Sequence, residues 1–407
     1  MMCCWRNRIT CSLNWVCHMT IKKERIEELL LDIFLIVALL DPANIFIGLK
    51  SVFFAAFIIC VIVNKEPAYR KYVGGMVLLY IISLLSSVLG RLQGVEVEEH
   101  DFIKYLTTFS TLIILLWYYK FDISTKLLFP SILLSILTMG LYVIMLYFPE
   151  IEAIVWDFSL QNDHIFQISH RSYLGVEFIS CYYTPLIIVS IPCAFSIYKF
   201  LFEIQGRKKN FLLSVLFMTA LFCGGNKACL GGMGIMIICM FFRFIWVKKN
   251  LKHMALFIYP LFLILFVIIA YNAWMEKDKS NDVKREHLES YIDLYSENPQ
   301  LLITGMGGGA KFYTKGFGES VSLVEWQYLE IIRMFGLLGG TFVIFFCWYP
   351  MIHVYKHRNK FDLWYPFVIG YLDYMIMSVG NPYLMNSTGM IVVLTGYTYI
   401  YHHTKKK

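Results

Sequence analysis

Charge is scarce in this chain. Only 16% of its 407 residues are Asp, Glu, Lys or Arg, against 58% hydrophobic, and the mean hydropathy is +0.60. A soluble globule would lack the polar surface to cover itself, so lipid must do the covering. Two-residue alternation is missing from the long Leu/Ile/Phe runs, which excludes the strands of a closed barrel and leaves helices as the way to satisfy backbone in lipid. No internal repeat is visible, and the interruptions of the two halves do not correspond, unlike the paired broken helices of many secondary transporters. Long polar stretches are absent too, with one exception between Tyr271 and Ser322.

What is present is a series of apolar runs. Windows of about 19 residues place them near residues 34, 54, 81, 111, 138, 188, 217, 238, 262, 337, 370 and 392. Most suffice to cross a hydrocarbon core of about 30 Å. The expected fold is therefore an all-α polytopic transmembrane bundle of twelve spans. It divides into an N-terminal cytoplasmic segment (1–28), spans one to nine (29–271), a long extracytoplasmic loop (272–322), spans ten to twelve (323–401) and a basic cytoplasmic tail (402–407).

Lys and Arg set the orientation. With both termini inside, the inner segments collect Lys22, Lys23 and Arg25, then Lys65, Arg70 and Lys71, then Arg207 to Lys209, Lys356, Arg358 and Lys360. The short outer loops hold Arg91, Arg171 and Lys227, and one is acidic at Glu96, Glu98, Glu99 and Asp101. This is the positive-inside pattern, and the formal charge of +7 is its by-product. Basic residues scattered in pairs and triplets at helix ends form no nucleic-acid surface.

The eleven cysteines build no disulfide framework. Seven lie inside apolar runs as small core hydrophobes, and none lies in an outer loop. Cys3, Cys4, Cys11 and Cys17 occupy a leader with neither the spacing of a zinc site nor a signal-peptide core. Met19 opens a charged amphipathic stretch and is the expected translation start.

Charges inside spans need a reason, since each costs roughly 2.5–3.5 kcal/mol on insertion scales. Asp32, Lys50, Glu177, Glu330, Arg333 and Asp373 are the cases. Glu330 and Arg333 share a helix face, either as an internal ion pair or as a holder of charged substrate. Lys50 can snorkel or pair with Asp41 or Asp32.

Three constellations face outward. Gly224-Gly225-Asn226-Lys227 is either a tight helical hairpin or an anion cradle of bare amides with one ammonium. The loop carries Arg285, His287, the cluster Gly305, Gly307, Gly308 and Gly309, and Lys311. Its Gly-to-Lys spacing is not that of a nucleotide-binding P-loop, and its glycines serve a turn or a ligand. Glu325 stands at the outer end of span ten, where a carboxylate keeps contact with water and can accept a proton. Loop aromatics such as Tyr313 and Phe317 suit sugar stacking or interfacial anchoring equally.

In order and sidedness, Gly224 to Lys227, then Arg285 with the Asn298-Pro299 to Gly309 stretch, then Glu325-Trp326 ahead of Gly336 and Gly339, resemble the O-antigen polymerase and O-antigen ligase superfamily. Arg171, in the stretch His170-Arg171-Ser172-Tyr173-Leu174-Gly175, is similar to an Arg common there. Two positions depart from the pattern. Lys227 stands where Arg is usual, and Glu325-Trp326 replace the His-Asn pair of ligases, which favours a polymerase.

The resemblance implies a metal-independent glycosyltransferase, without cofactor, at the outer face of a bacterial plasma membrane. Its partners would be undecaprenyl-pyrophosphate-linked oligosaccharides and membrane lipids, with a chain-length regulator and a flippase alongside. Glu325, Arg285 and His287 would be catalytic. Arg171, Lys227, Gly305, Gly307, Gly308, Lys311 and Arg333 would bind substrate. A ligase-type transferase and a flippase or secondary transporter are the alternatives.

Overall fold

The computed structural model describes residues 23–42, 48–162, 165–173, 176–247 and 279–404, with isolated positions between 260 and 268. The leader cysteines, most of the apolar run near residue 262 and the last three lysines lie outside the described residues.

In chain order the helices are α1 (23–40), α2 (Leu49–Val63), α3 (Val73–Leu92), α4 (Glu99–Thr108), α5 (Ile123–Lys126), α6 (Leu128–Tyr147), α7 (Pro149–Gln161), α8 (Ser190–Phe202), α9 (Arg207–Gly224) and α10 (Lys227–Val247). After the undescribed stretch come α11 (Lys279–Glu297), α12 (Pro299–Thr304), α13 (Gln327–Lys356), α14 (Trp364–Met377) and α15 (Ser387–His402). Among the described residues, five helical stretches are long and apolar enough to cross a membrane: Val73–Leu92, Ile123–Tyr147, Thr184–Phe202, Lys227–Val247 and Gln327–Lys356. The other described runs form shorter helices, and the run near 111 is largely a 3-10 helix, Phe109–Trp117.

The bundle closes around α15. Every residue of α15 from Thr388 to Ile400 is buried, which fits a helix with no charged side on that stretch. It packs on α13, α5 and the Phe109–Trp117 helix, while α14 lies against α8, α10 and α13.

The purely α expectation needs correction. Two antiparallel hairpins are present: β1 (Phe166–Tyr173) with β2 (Val176–Tyr183), and β3 (Phe312–Thr314) with β4 (Glu319–Val321). The first pair joins aromatic and apolar residues to Gln167, Ser169, His170 and Arg171, a mixture that suits a ribbon better than a lipid-facing helix. Glu177, expected inside a span, stands in β2 opposite Ser172.

Several charged side chains pair across the bundle. Lys120 lies 2.6 Å from Glu27 and 2.6 Å from Glu66, and Lys126 lies 2.9 Å from Asp32. The partner of Asp32 is thus Lys126 rather than Lys50, whose ammonium meets the Pro42 carbonyl and, at 3.4 Å, the Ser387 hydroxyl.

Helix α13 is broken at Gly336, which adopts φ 70° and ψ 173°. That region is open essentially to glycine alone. The break frees the carbonyls of Arg333 and Met334, and the amides of Met306 and Gly307 take them at 2.8 and 2.9 Å. Irregular backbone is tolerated in an apolar helix when protein satisfies it in this way.

Candidate functional site

The polar segment after residue 278 folds first into α11. Asn281, Lys284, His287 and Tyr291 recur at three- and four-residue spacing and so share one helix face. Asn281, His287 and Tyr291 are buried. Asp282 in the first turn complements the positive end of the helix. Pro299 then starts α12.

Three turns of the bundle meet that face. The Lys284 ammonium lies 3.2 Å from a Glu325 carboxylate oxygen and donates to the Gly380 carbonyl at 3.2 Å. The indole of Trp326 donates to the Lys284 carbonyl at 2.9 Å. Lys227 donates to the side-chain oxygen of Asn281 at 3.3 Å. Asn226 caps the start of α10 by accepting from the Ala228 amide at 2.8 Å, and its own amide donates to the Tyr383 hydroxyl at 3.1 Å. Gly225 reverses the chain with φ 59°. Tyr182 from β2 lies tilted against Tyr383, ring centres 5.8 Å apart, and the Ser180 hydroxyl donates to the Gly224 carbonyl at 2.7 Å. The Gly-Gly-Asn-Lys turn is therefore a capped helix start whose lysine leans toward α11.

Two ammoniums and a carboxylate gather here. The Glu325 side chain is 36% exposed, so it can meet both solvent and a ligand. Beside it lies His287, fully buried, with Phe317 against its ring and Gly316 closing over it. Neither ring nitrogen has a hydrogen-bond partner. Burial lowers its pKa below the ordinary 6.5, partly offset by Glu325, Glu330 and Glu286, and so keeps the ring neutral near pH 7. Among the described residues no three His, Cys, Asp or Glu side chains come together to hold a metal.

Arg333 sits elsewhere. It is fully buried and bound to Glu330 at 2.7 Å, to the Ala310 carbonyl at 2.7 Å and to the Ser322 carbonyl at 2.8 Å. Its guanidinium lies 4.7 Å from the centre of the Phe312 ring, and Tyr291 donates to the same Glu330. Of the two readings of Arg333, these contacts are those of the internal ion pair, and they tie β3, the chain before Glu325 and α13 into one unit.

The glycine cluster serves packing. A side chain on Gly305 would strike the Met334 carbonyl and the Gly336 amide, and one on Gly307 would strike the backbone of Ser87 in α3. Gly308 is buried as well. The strand-like contact continues as Glu98 donates to Gly309 and Lys311 to Glu96, each at 2.9 Å. The Lys311 ammonium lies 3.1 Å from Glu98. Arg285 contacts Asp282, one helical turn back, at 3.3 Å. Arg171 stands opposite Phe178 in the first hairpin. Four residues of strand, about 13 Å, separate that rung from Tyr182.

Lys284, Asn281 and Tyr383 belong to none of the three sequence constellations. The signal for Lys284 was its seven-residue spacing from Tyr291, which puts it on the inward face of α11. Tyr383 sits in a polar turn, Gly380-Asn381-Pro382, that had no motif to mark it.

Compared with models of protein families, with curated proteins and with solved structures, the chain matches none.

Proposed function

We propose that this protein is a glycan polymerase of the outer face of a bacterial plasma membrane, adding lipid-linked repeat units to a growing chain. The observation that carries this reading is the convergence of Lys284 on α11 with Lys227 and Glu325 from two separate turns. The motif order described above adds to it.

In the reaction, the bond from sugar C1 to the pyrophosphate oxygen breaks, and the lipid pyrophosphate leaves with the electron pair. A new bond forms from C1 to an acceptor hydroxyl, whose proton passes to a base. Lys227 and Lys284 supply positive charge where the leaving group becomes anionic. Glu325 is the base, and the hydroxyl proton ends on its carboxylate. The 3.2 Å pairing with Lys284 links the two roles. An incoming pyrophosphate competes for that ammonium and leaves the carboxylate to the acceptor hydroxyl. Arg285 and Arg171 are further cations for the pyrophosphate, and His287 is a second base once the turn at Gly316 and Phe317 moves aside.

Incubation of the purified protein with a lipid-linked repeat unit tests the proposal. A ladder of oligomers is expected. Single transfer to a foreign acceptor would mean a ligase, and movement of unchanged substrate across a vesicle membrane would mean a transporter.

A further inference from the structure

A cavity with a volume of about 490 Å³ opens on another side of α11 from the Lys284–Glu325 pair. That volume lies within the range of small-molecule sites. Its wall is half polar and half apolar, and on the polar side Gln93, Asp293, Glu297 and Asn298 contribute amide and carboxylate groups. Tyr313 adds an aromatic face. The alternation of β3 buries Phe312 and Thr314 and turns Tyr313 outward, leaving it 60% exposed.

The charges of this cavity are largely spent on one another. Lys311 is flanked by Glu96 and Glu98 at 3.8 and 3.1 Å, and Lys315 by Glu289 and Asp293 at 3.4 and 2.8 Å. A polyanion would meet Glu297 and lysines already neutralised. A neutral ligand rich in hydroxyls would meet planar side chains able to donate and accept in pairs, and a ring for its C–H face. The floor is held in place before any ligand arrives, because Met306 and Phe312 line it and both touch the buried Arg333 guanidinium.

Position separates this cavity from the cluster at Glu325. Asp293 follows Lys284 by nine residues, about 14 Å along the helix and half a revolution around it. We infer that the cavity walled by Glu297, Asn298 and Tyr313 binds neutral sugar units of a glycan, several units away from the end that reacts. The relation to a reacting end rests on the polymerase reading; the binding of neutral sugars does not.

Short, lipid-free oligosaccharide fragments, cut by mild acid from the surface glycan of the producing cell and freed of charged pieces, are the probe. Saturation-transfer NMR on the full-length protein in detergent gives the affinity. Wild type is expected to bind, and Tyr313→Ala combined with Asn298→Ala to weaken binding about tenfold, the loss of one stacked ring and one hydrogen-bonding amide. An unchanged thermal midpoint verifies that the variant is folded. Equal affinity in wild type and variant, no binding by wild type, or preference for a sulfated polyanion would overturn the inference. Because the probe carries no lipid pyrophosphate, binding without any ladder would sink the polymerase and leave the cavity, and a ladder without binding would do the reverse.

Discussion

The Lys284 ammonium lies 3.2 Å from both the Glu325 carboxylate and the Gly380 carbonyl, so one side chain of α11 joins two turns that are 55 residues apart in sequence by number. The pair is partly exposed, and such pairs add at most about 1 kcal/mol to stability. Its value lies in where it holds the carboxylate.

Glu325→Gln keeps the shape of the side chain and removes its basicity. Chain growth should fall by about a hundredfold or more, the usual worth of a general base, while the amount of protein in the membrane stays normal. Glycan gels read beside immunoblots of the same membranes check this. Polymer of normal length would take Glu325 out of the chemistry.

Arg333 is expected to matter for folding before it matters for turnover. Arg333→Met leaves Glu330 charged and buried, a loss of about 3–5 kcal/mol. Adding Glu330→Leu should recover part of that loss. Thermal midpoints in detergent for both single variants and the double one give the comparison; an unaltered midpoint in Arg333→Met would return Arg333 to the list of substrate ligands.

A methyl group at Gly336 has nowhere to go, since it would fall 2.0 Å from the Ile303 carbonyl at a backbone angle reserved for glycine. Gly336→Ala should therefore cost more than the roughly 1–3 kcal/mol of backbone strain alone and reduce folded protein sharply. Gly74→Ala is the matched control: no atom lies within 4 Å, and it sits in α3. Size-exclusion profiles after identical extraction distinguish the two.

The buried His287 sets a pH dependence of definite sign. Above about 6.5 both folded and unfolded chains hold a neutral ring, and the residue is silent. As the pH falls through that value the unfolded chain takes up its proton first, so stability drops until the folded ring, whose pKa is lower, is protonated too. Between pH about 7.5 and about 5.5 the thermal midpoint should fall further in wild type than in His287→Gln. Parallel shifts would remove burial of the imidazole as the cause.

Helical character was legible wherever apolar residues ran unbroken, because lipid allows such runs little else. Non-local choices were not. Residues 166–183 carry no local sign of a hairpin, since their pairing depends on partners across the ribbon. Arg285 drew attention as the stronger cation, while helix periodicity turns its neighbour Lys284 toward Glu325. Gly305 and Gly307 suit a turn or a ligand by sequence, and the close approach of α3 and of the break in α13 to them is not legible there. Nothing local distinguishes Gly336 from Gly339 or Gly340 as the point where the helix breaks.

That break has a consequence for how the chain is made. Residues 333 and 334 are synthesised after 306 and 307, yet their carbonyls depend on those earlier amides. An unsatisfied buried carbonyl costs several kcal/mol, so the break in α13 cannot settle until the segment ahead of it has folded. In biogenesis that segment is a template, and until it is folded the helix broken at Gly336 lacks partners for the carbonyls it frees.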